Sequence, residues 1–290
     1  MIGILDSGVG GLGIFLEIRK LLPSVDIIYY ADSANFPYGE KSEAELEVIT
    51  KAAVSRLVSE GATTIVIACN SATVSTIGFL RASFPGIQFV GIEPAIKVAA
   101  ECDGDEIGLM ATARTVMSLP SHLSSRASKE ARLRVEGSLS NIPKRFLQQA
   151  IGREPELTAQ AESGRNDKKI FTHTDAELIS TIENDYDRIT DGYLGQKFQV
   201  FEGRGIRSVV LGCTHFYFIQ EHLALIYPDI TFIEPAESVA KRVVEVSGEK
   251  SGSKREIFYV TGDKVKFAEF VSKVAGIKDA DIRKITALSP

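Results

Sequence analysis

Short apolar runs punctuate this chain at 2–5, 26–31, 63–68, 87–91, 106–111, 206–211, 230–233 and 256–261. Most are rich in Ile, Val and Leu and too short to be buried helices. Between them lie stretches of helical periodicity at 12–22, about 42–59, 72–83, 217–226, 236–247 and 264–274. A strand that is apolar throughout needs cover on both faces of its sheet. The alternation therefore predicts an α/β fold with mainly parallel sheets, each sandwiched between helices in three αβα layers. In such folds ligands sit beyond the carboxyl ends of the strands.

The chain has 290 residues, enough for two such units. We read two similar lobes. The first spans 1–98 with a C-terminal return at about 256–290. The second spans about 99–255 and includes a polar, atypical middle segment, 137–200. Helical patterns occur there around Pro143–Ile151 and Thr174–Tyr186, and no strand signal is strong between 121 and 204. Elsewhere local signals are clear. Gly8, Gly10, Gly11 and Gly13 permit a tight turn, and Pro23 ends the helix that follows. Ser42 and Glu45 fit a capping box. Glu93-Pro94 suits the start of a short helix.

Two strings share a pattern. Ile65-Val66-Ile67-Ala68-Cys69-Asn70-Ser71 and Val209-Val210-Leu211-Gly212-Cys213-Thr214-His215 each end an apolar run in Cys and a small polar residue. Each Cys precedes a helix candidate, whose unpaired N–H groups and dipole would favour a thiolate and could bind a carboxylate. Asp6-Ser7-Gly8 follows the first strand in the same way. Asp6 can receive an ammonium group or act as a base, and His215 can shuttle a proton beside Cys213. Two thiols on opposite faces of one carbon can act in turn, one removing a proton and the other returning one. That inverts the carbon without a metal or an organic cofactor. Donors aimed at a substrate carboxylate would stabilise the carbanion.

Blander readings compete. A Cys ending a buried strand is often plain packing, but the matched placement argues for function. Cys102 reads as structural or surface. Asp6-Ser7-Gly8 could be only a cap and turn. The glycines at 8–13 spell neither phosphate-loop pattern. A zinc site of Cys69, Cys213 and His215 is conceivable, but its spacing is unlike common ones.

Formal net charge is -5 with no long run of one sign, which disfavours nucleic-acid binding. Three cysteines, none in a CxxC pair, suggest a reducing setting. No stretch of 18 apolar residues is present, and the chain begins directly as a strand. The expectation is a soluble, cytoplasmic protein with no membrane partner.

The motifs together carry a resemblance. Asp6-Ser7-Gly8-Val9-Gly10-Gly11-Leu12, Ala31 through Ser42, Ala68-Cys69-Asn70-Ser71-Ala72-Thr73, Gly91-Ile92-Glu93-Pro94, Ala111-Thr112 through Thr115 and Gly212-Cys213-Thr214-His215 resemble the glutamate racemases. These belong to the cofactor-independent aspartate/glutamate racemase superfamily. The resemblance implies pseudo-symmetric lobes with the active site in the cleft between them. It implies that Cys69 acts on the D-enantiomer and Cys213 on the L-enantiomer, assisted by Asp6 and His215. Ser7, Pro37, Tyr38, Gly39, Asn70, Ser71, Thr112, Thr115 and Thr214 would hold the amino acid. It further implies D-glutamate for peptidoglycan, a homodimer, and neither cofactor nor metal. The chain departs from the family at Ser71, at Phe216-Tyr217-Phe218 and through the middle segment. A racemase for another acidic amino acid such as aspartate, or a non-catalytic binding or interaction protein, are the alternatives.

Overall fold

The computed structural model describes residues 1–100, 102, 106–126, 134–137, 169–248 and 252–287. The apolar runs become strands β1 (Ile2–Asp6), β2 (Ile27–Ala31), β3 (Thr64–Ile67) and β4 (Gln88–Gly91), then β5 (Glu106–Ala111), β8 (Ser208–Gly212), β9 (Thr231–Ile233) and β10 (Glu256–Val260). Three further strands had no strong sequence signal: β6 (Arg134–Gly137), β7 (Lys169–His173) and β11 (Asp281–Lys284). The helices are α1 (Leu12–Leu21), α2 (Glu43–Ser59), α3 (Asn70–Ser83), α4 (Ile96–Ala100) and α5 (Ala113–Arg126). After the middle segment come α6 (Ala176–Asn184), α7 (Asp191–Phe198), α8 (Gln220–Ile226), α9 (Ala236–Ser247) and α10 (Lys264–Lys273). The helical pattern around Pro143–Ile151 lies outside the described residues.

Two sheets form, with strand orders β11-β10-β2-β1-β3-β4 and β6-β7-β5-β8-β9. Every pairing between described strands is parallel. The fold is α/β with mainly parallel sheets in αβα layers, as the alternation predicted. On the first sheet, one face buries Leu5, Ile28, Ile65 and Ile67 against Leu46, Ile49, Val54 and Leu57 of α2 and Leu80 of α3. On the second, Ile107, Leu109 and Val210 meet Ile96 and Ala99 of α4 and Val116 and Leu119 of α5. The remaining faces share one continuous core, running from Ile4, Phe15 and Phe258 to Val209, Phe201 and Phe232.

Local chemistry explains the helix ends. Ser42 Oγ accepts from the Glu45 N–H at 3.2 Å, and the Glu45 carboxylate accepts from the Ser42 N–H at 2.7 Å, completing the expected capping box. Asp263 caps α10 through the N–H groups of Val265 and Lys266. Gly248 ends α9 at φ 61°, a left-handed conformation that favours glycine. Helix α4 begins two residues beyond Pro94, not at it.

Two connections cross between sheets. Ile92-Glu93-Pro94-Ala95 after β4 sends α4 against β8 of the second sheet. Ile233-Glu234-Pro235-Ala236 after β9 sends α9 back against α1, β3 and β4 of the first. The chain thus begins its return to the first sheet with α9, before β10 joins β2.

Candidate active site

Each sheet reverses its winding at its centre, β1 beside β3 and β5 beside β8. Side chains just past these four carboxyl ends face a common space, as expected at such switch points. Ser7 follows β1, Cys69 follows β3, Thr112 follows β5, and Cys213 follows β8. Together with Phe36, Pro37, Tyr38, Gly39, Asn70, Ser71, Ile179, Thr214 and His215 they line one cavity. It is tight, with ≈ 20 Å³ of room for the centres of water-sized spheres. A larger volume of ≈ 400 Å³ lies over the outer face of α10, between Lys264, Val265, Ala268, Glu269, Ser272 and Lys273. That one is open groove on a single helix and holds neither thiol. The narrow cavity is the one that holds both thiols.

Eleven of the thirteen sequence-derived site residues line it. Asp6 and Thr115 stand behind the wall. Asp6 accepts from the Gly8 N–H at 2.9 Å and from the Thr214 hydroxyl at 3.3 Å. Thr115 bonds the Thr112 hydroxyl at 2.9 Å, and that hydroxyl meets Ser71 Oγ at 3.0 Å. This chain of hydroxyls ties α3 of the first sheet to α5 of the second. Cys102 is half-buried, with Sγ 3.7 Å from the Val98 carbonyl, and is not part of the cavity wall.

The second thiol has a relay behind it. Cys213 Sγ lies 3.6 Å from His215 Nδ1, and His215 Nε2 lies 2.9 Å from Glu183 Oε2. Glu183 also accepts from the Val9 N–H at 2.8 Å. Burial would lower the His215 imidazolium, but the hydrogen bonds and charges of Cys213 and Glu183 outweigh it and hold it well above its ordinary value. The pair therefore favours the protonated imidazole.

Sequence reasoning missed Glu183 and Ile179. Both project from α6, four residues apart on one face. The available signal was an acid inside the apolar stripe Leu178, Ile179, Ile182. Asp32 was missed too. It is buried after β2 and accepts from Tyr38 Oη at 2.6 Å, Thr261 Oγ1 at 2.8 Å and Asn35 Nδ2 at 3.0 Å. Those bonds fix the turn carrying Phe36 to Gly39.

One expectation changes. The N-terminus of α3 should favour a Cys69 thiolate. Instead burial pushes the Cys69 thiol up to about 12, with Asp6 adding to it, and the opposing Ala72 N–H and Ser7 hydroxyl do not compensate. Burial likewise raises Asp6, against the pull of His215 and the Gly8 N–H. The expected tight turn forms, with the Leu12 N–H on the Val9 carbonyl at 3.0 Å, and none of Gly8, Gly10, Gly11 or Gly13 needs positive φ to make it. They make space. A Cβ on Gly8 would fall 2.2 Å from the Glu183 carboxylate, and one on Gly13 would fall 2.4 Å from the Tyr217 ring.

Asn70 is 2% exposed, and neither its Nδ2 nor its Oδ1 has a hydrogen-bond partner. An unpaired buried amide on a cavity wall is built for a polar ligand. Among the described residues, no group of three or more His, Cys, Asp or Glu is arranged to hold a metal ion. No helix among them is long and apolar enough to cross a membrane.

Two parallel sheets meeting at a cavity with one thiol from each, and a histidine–carboxylate pair behind one thiol, make the site of an α/β enzyme. No protein-family model matches the chain. Its sequence is 33% identical to a glutamate racemase of Pseudomonas entomophila over 251 residues, 86% of this chain and 82% of that protein. It is 31% identical to one of Roseiflexus sp. over 284 residues, 94% and 91% of the two chains. The fold matches the crystal structure of Escherichia coli glutamate racemase in complex with L-glutamate and the activator UDP-MurNAc-Ala. The TM-score there is 0.72 at 24% identity, covering 99% of this chain and 98% of that one. The chain belongs to the glutamate racemase family.

Proposed function

We propose that this chain interconverts L- and D-glutamate through two cysteine acid/bases, Cys69 on the D side and Cys213 on the L side. One observation carries the reading: both thiols, from different sheets, line a single cavity. In one direction a Cys213 thiolate takes the α-proton of L-glutamate. The Cys69 thiol then delivers its own proton to the opposite face. The product is D-glutamate, and the two sulfurs have exchanged protonation states.

Surrounding groups support each half. His215, held by Glu183, passes protons to and from Cys213. On the other side Cys69 needs help to ionise in so buried a place. The substrate α-ammonium, drawn toward Asp6, supplies that countercharge. The N–H groups opening α3 and the Asn70 amide face the carboxylate on which carbanion charge develops. Ser7, Ser71, Thr112 and Thr214 offer hydroxyls, Thr115 orients Thr112, and Pro37, Tyr38 and Gly39 form the remaining wall.

We place the cleft between two lobes, near the bounds 1–98 with 256–290 and 99–255 read from the sequence, except that α4 packs on the second sheet and α9 on the first. The wider role we propose is supply of D-glutamate for peptidoglycan, in the cytoplasm, by a homodimer.

The test is optical. Circular dichroism should record decay of either glutamate enantiomer, with aspartate a poor competitor. In deuterated water the product should gain deuterium at the α-carbon. Cys69→Ser and Cys213→Ser should each lose ~100-fold or more in turnover. No optical change with any acidic amino acid, or full activity in either single variant, overturns the proposal.

A further inference from the structure

Arg114 breaks a local rule. It is the second residue of α5, where the helix dipole disfavours a cation. It is also half-buried, and burial works against its charge, while the nearby Glu43, Cys69 and Glu45 side chains favour it. Local rules tend to be broken where function demands it. The contacts suggest what the demand is.

The guanidinium leaves the second-sheet unit and grips the first at two points. Nη2 donates to the Lys41 carbonyl, and Nη1 donates to Ser75 Oγ at 3.3 Å. Lys41 closes the short turn Tyr38–Glu40, its N–H bonded to the Tyr38 carbonyl at 3.2 Å. That turn carries the Pro37–Gly39 wall of the cavity. Ser75 lies one helical turn beyond Ser71 on α3. Two rows of contact therefore join α3 to α5: Ser71 with Thr112 at the cavity, and Ser75 with Arg114 outside it. Gly39 rests on both inner residues, since a Cβ there would lie 3.5 Å from Ser71 Oγ and 3.5 Å from Thr112 Cβ.

We infer that Arg114 is a positioning residue, a latch that holds the Pro37–Gly39 wall and α3 against α5 and so sets how tightly an acidic amino acid is retained. The inference rests on the proposed racemase reading for its ligand, but not for its mechanics. Substrate entry requires the wall to part from Thr112, and the latch is the charged contact that must open. Arg114 donates its hydrogen bonds to Lys41 and Ser75 and to neither thiol, although its charge reaches Cys69.

Two measurements test it on the full-length protein, with Arg114→Gln and Arg114→Lys. Hydrogen–deuterium exchange at the amides of 38–42 should accelerate about tenfold or more in Arg114→Gln, the worth of a lost charged hydrogen bond. Amides of β10 and α10 should keep wild-type rates. In racemisation, KM for both glutamate enantiomers should rise by about the same factor, more than any fall in kcat from the charge lost near Cys69. Arg114→Lys, which still offers a cationic donor to Lys41, should restore most of both. Wild-type exchange at 38–42, uniform acceleration across the whole fold, or a fall in kcat at constant KM would each overturn the latch. The exchange readout needs no turnover, so the latch and the racemase reading fail separately.

Discussion

Gly10→Ala should cripple the site without replacing a catalytic group. A Cβ built on Gly10 falls 2.3 Å from Thr214 Oγ1, 2.8 Å from His215 Nδ1 and 2.9 Å from the His215 backbone nitrogen. Comfortable separation is about 3.5 Å, so the hydroxyl must retreat by roughly 1 Å and the backbone by about half that. Thr214 can rotate, but a backbone nitrogen cannot. The segment holding Cys213, Thr214 and His215 must therefore shift as a piece. The imidazole nitrogen under pressure is the one facing Cys213 Sγ. Misplacement of about 1 Å typically costs ~100-fold in rate, and overpacking costs about 1–3 kcal/mol in stability. The assay is kcat/KM for both glutamate enantiomers by circular dichroism, with a thermal melt alongside. Gly78→Ala is the control. Gly78 lies within α3 with nothing within 4 Å of its would-be Cβ. Ala there should add about 0.5–1 kcal/mol of stability and leave the rate alone. If Gly10→Ala retains wild-type kcat/KM, the account of the glycines as seats for the second unit is wrong.

Other outcomes follow from the same geometry. Glu183→Gln removes the charge that supports the His215 proton, so the alkaline limb of the activity profile should move to lower pH; an unmoved limb would separate the pair from catalysis. Glu234, half-buried with one enclosed carboxyl oxygen unpaired, is raised by burial to about 8. Its folded value exceeds its unfolded one, so its contribution is fully present below about 4.5 and is lost as pH rises to about 8, at up to ~1.4 kcal/mol per pH unit. Glu234→Gln should therefore raise the melting temperature at pH 9 and change it little at pH 4; equal gains at both would refute the assignment. Cys69, raised to about 12 by burial, acts with the same sign at higher pH. Its thiol should stay unreactive to small alkylating agents at pH 9 in the ligand-free protein. Rapid labelling there would place it in a far more polar setting.

Much of this was legible in the sequence because the determining forces are local. Strand β1 is apolar at nearly every position, and Ser42 with Glu45 caps α2 through neighbours. The thiols were found because position at a strand end can be read along the chain. What escaped depends on distant partners. Strand β11, Asp281-Ile282-Arg283-Lys284, lies at an edge and needs little apolar surface. Strand β7 has only Ile170 and Phe171 as strongly apolar residues, among polar neighbours. Glu183 looked like one more acid on an amphipathic helix until α6 was set against Val9 and His215. The glycines were rightly read as turn residues, but the segments pressing on them from across the fold could not be seen. Cys69 followed a sound rule about helix termini, but burial is the larger effect.

The pairing of β2 with β10 has a consequence for how the molecule is made. Asp26 bonds the Arg255 N–H across a sequence separation of 229 residues. At ~5–20 residues per second, a ribosome needs on the order of 10–50 s to bridge that gap. Throughout that interval Ile27 to Ala31 present an apolar strand with one bare edge, an invitation to pair with a neighbouring nascent chain. For this protein the dangerous period comes during translation, and a chaperone that shields β2 until residues 256–260 emerge would raise the yield of active product.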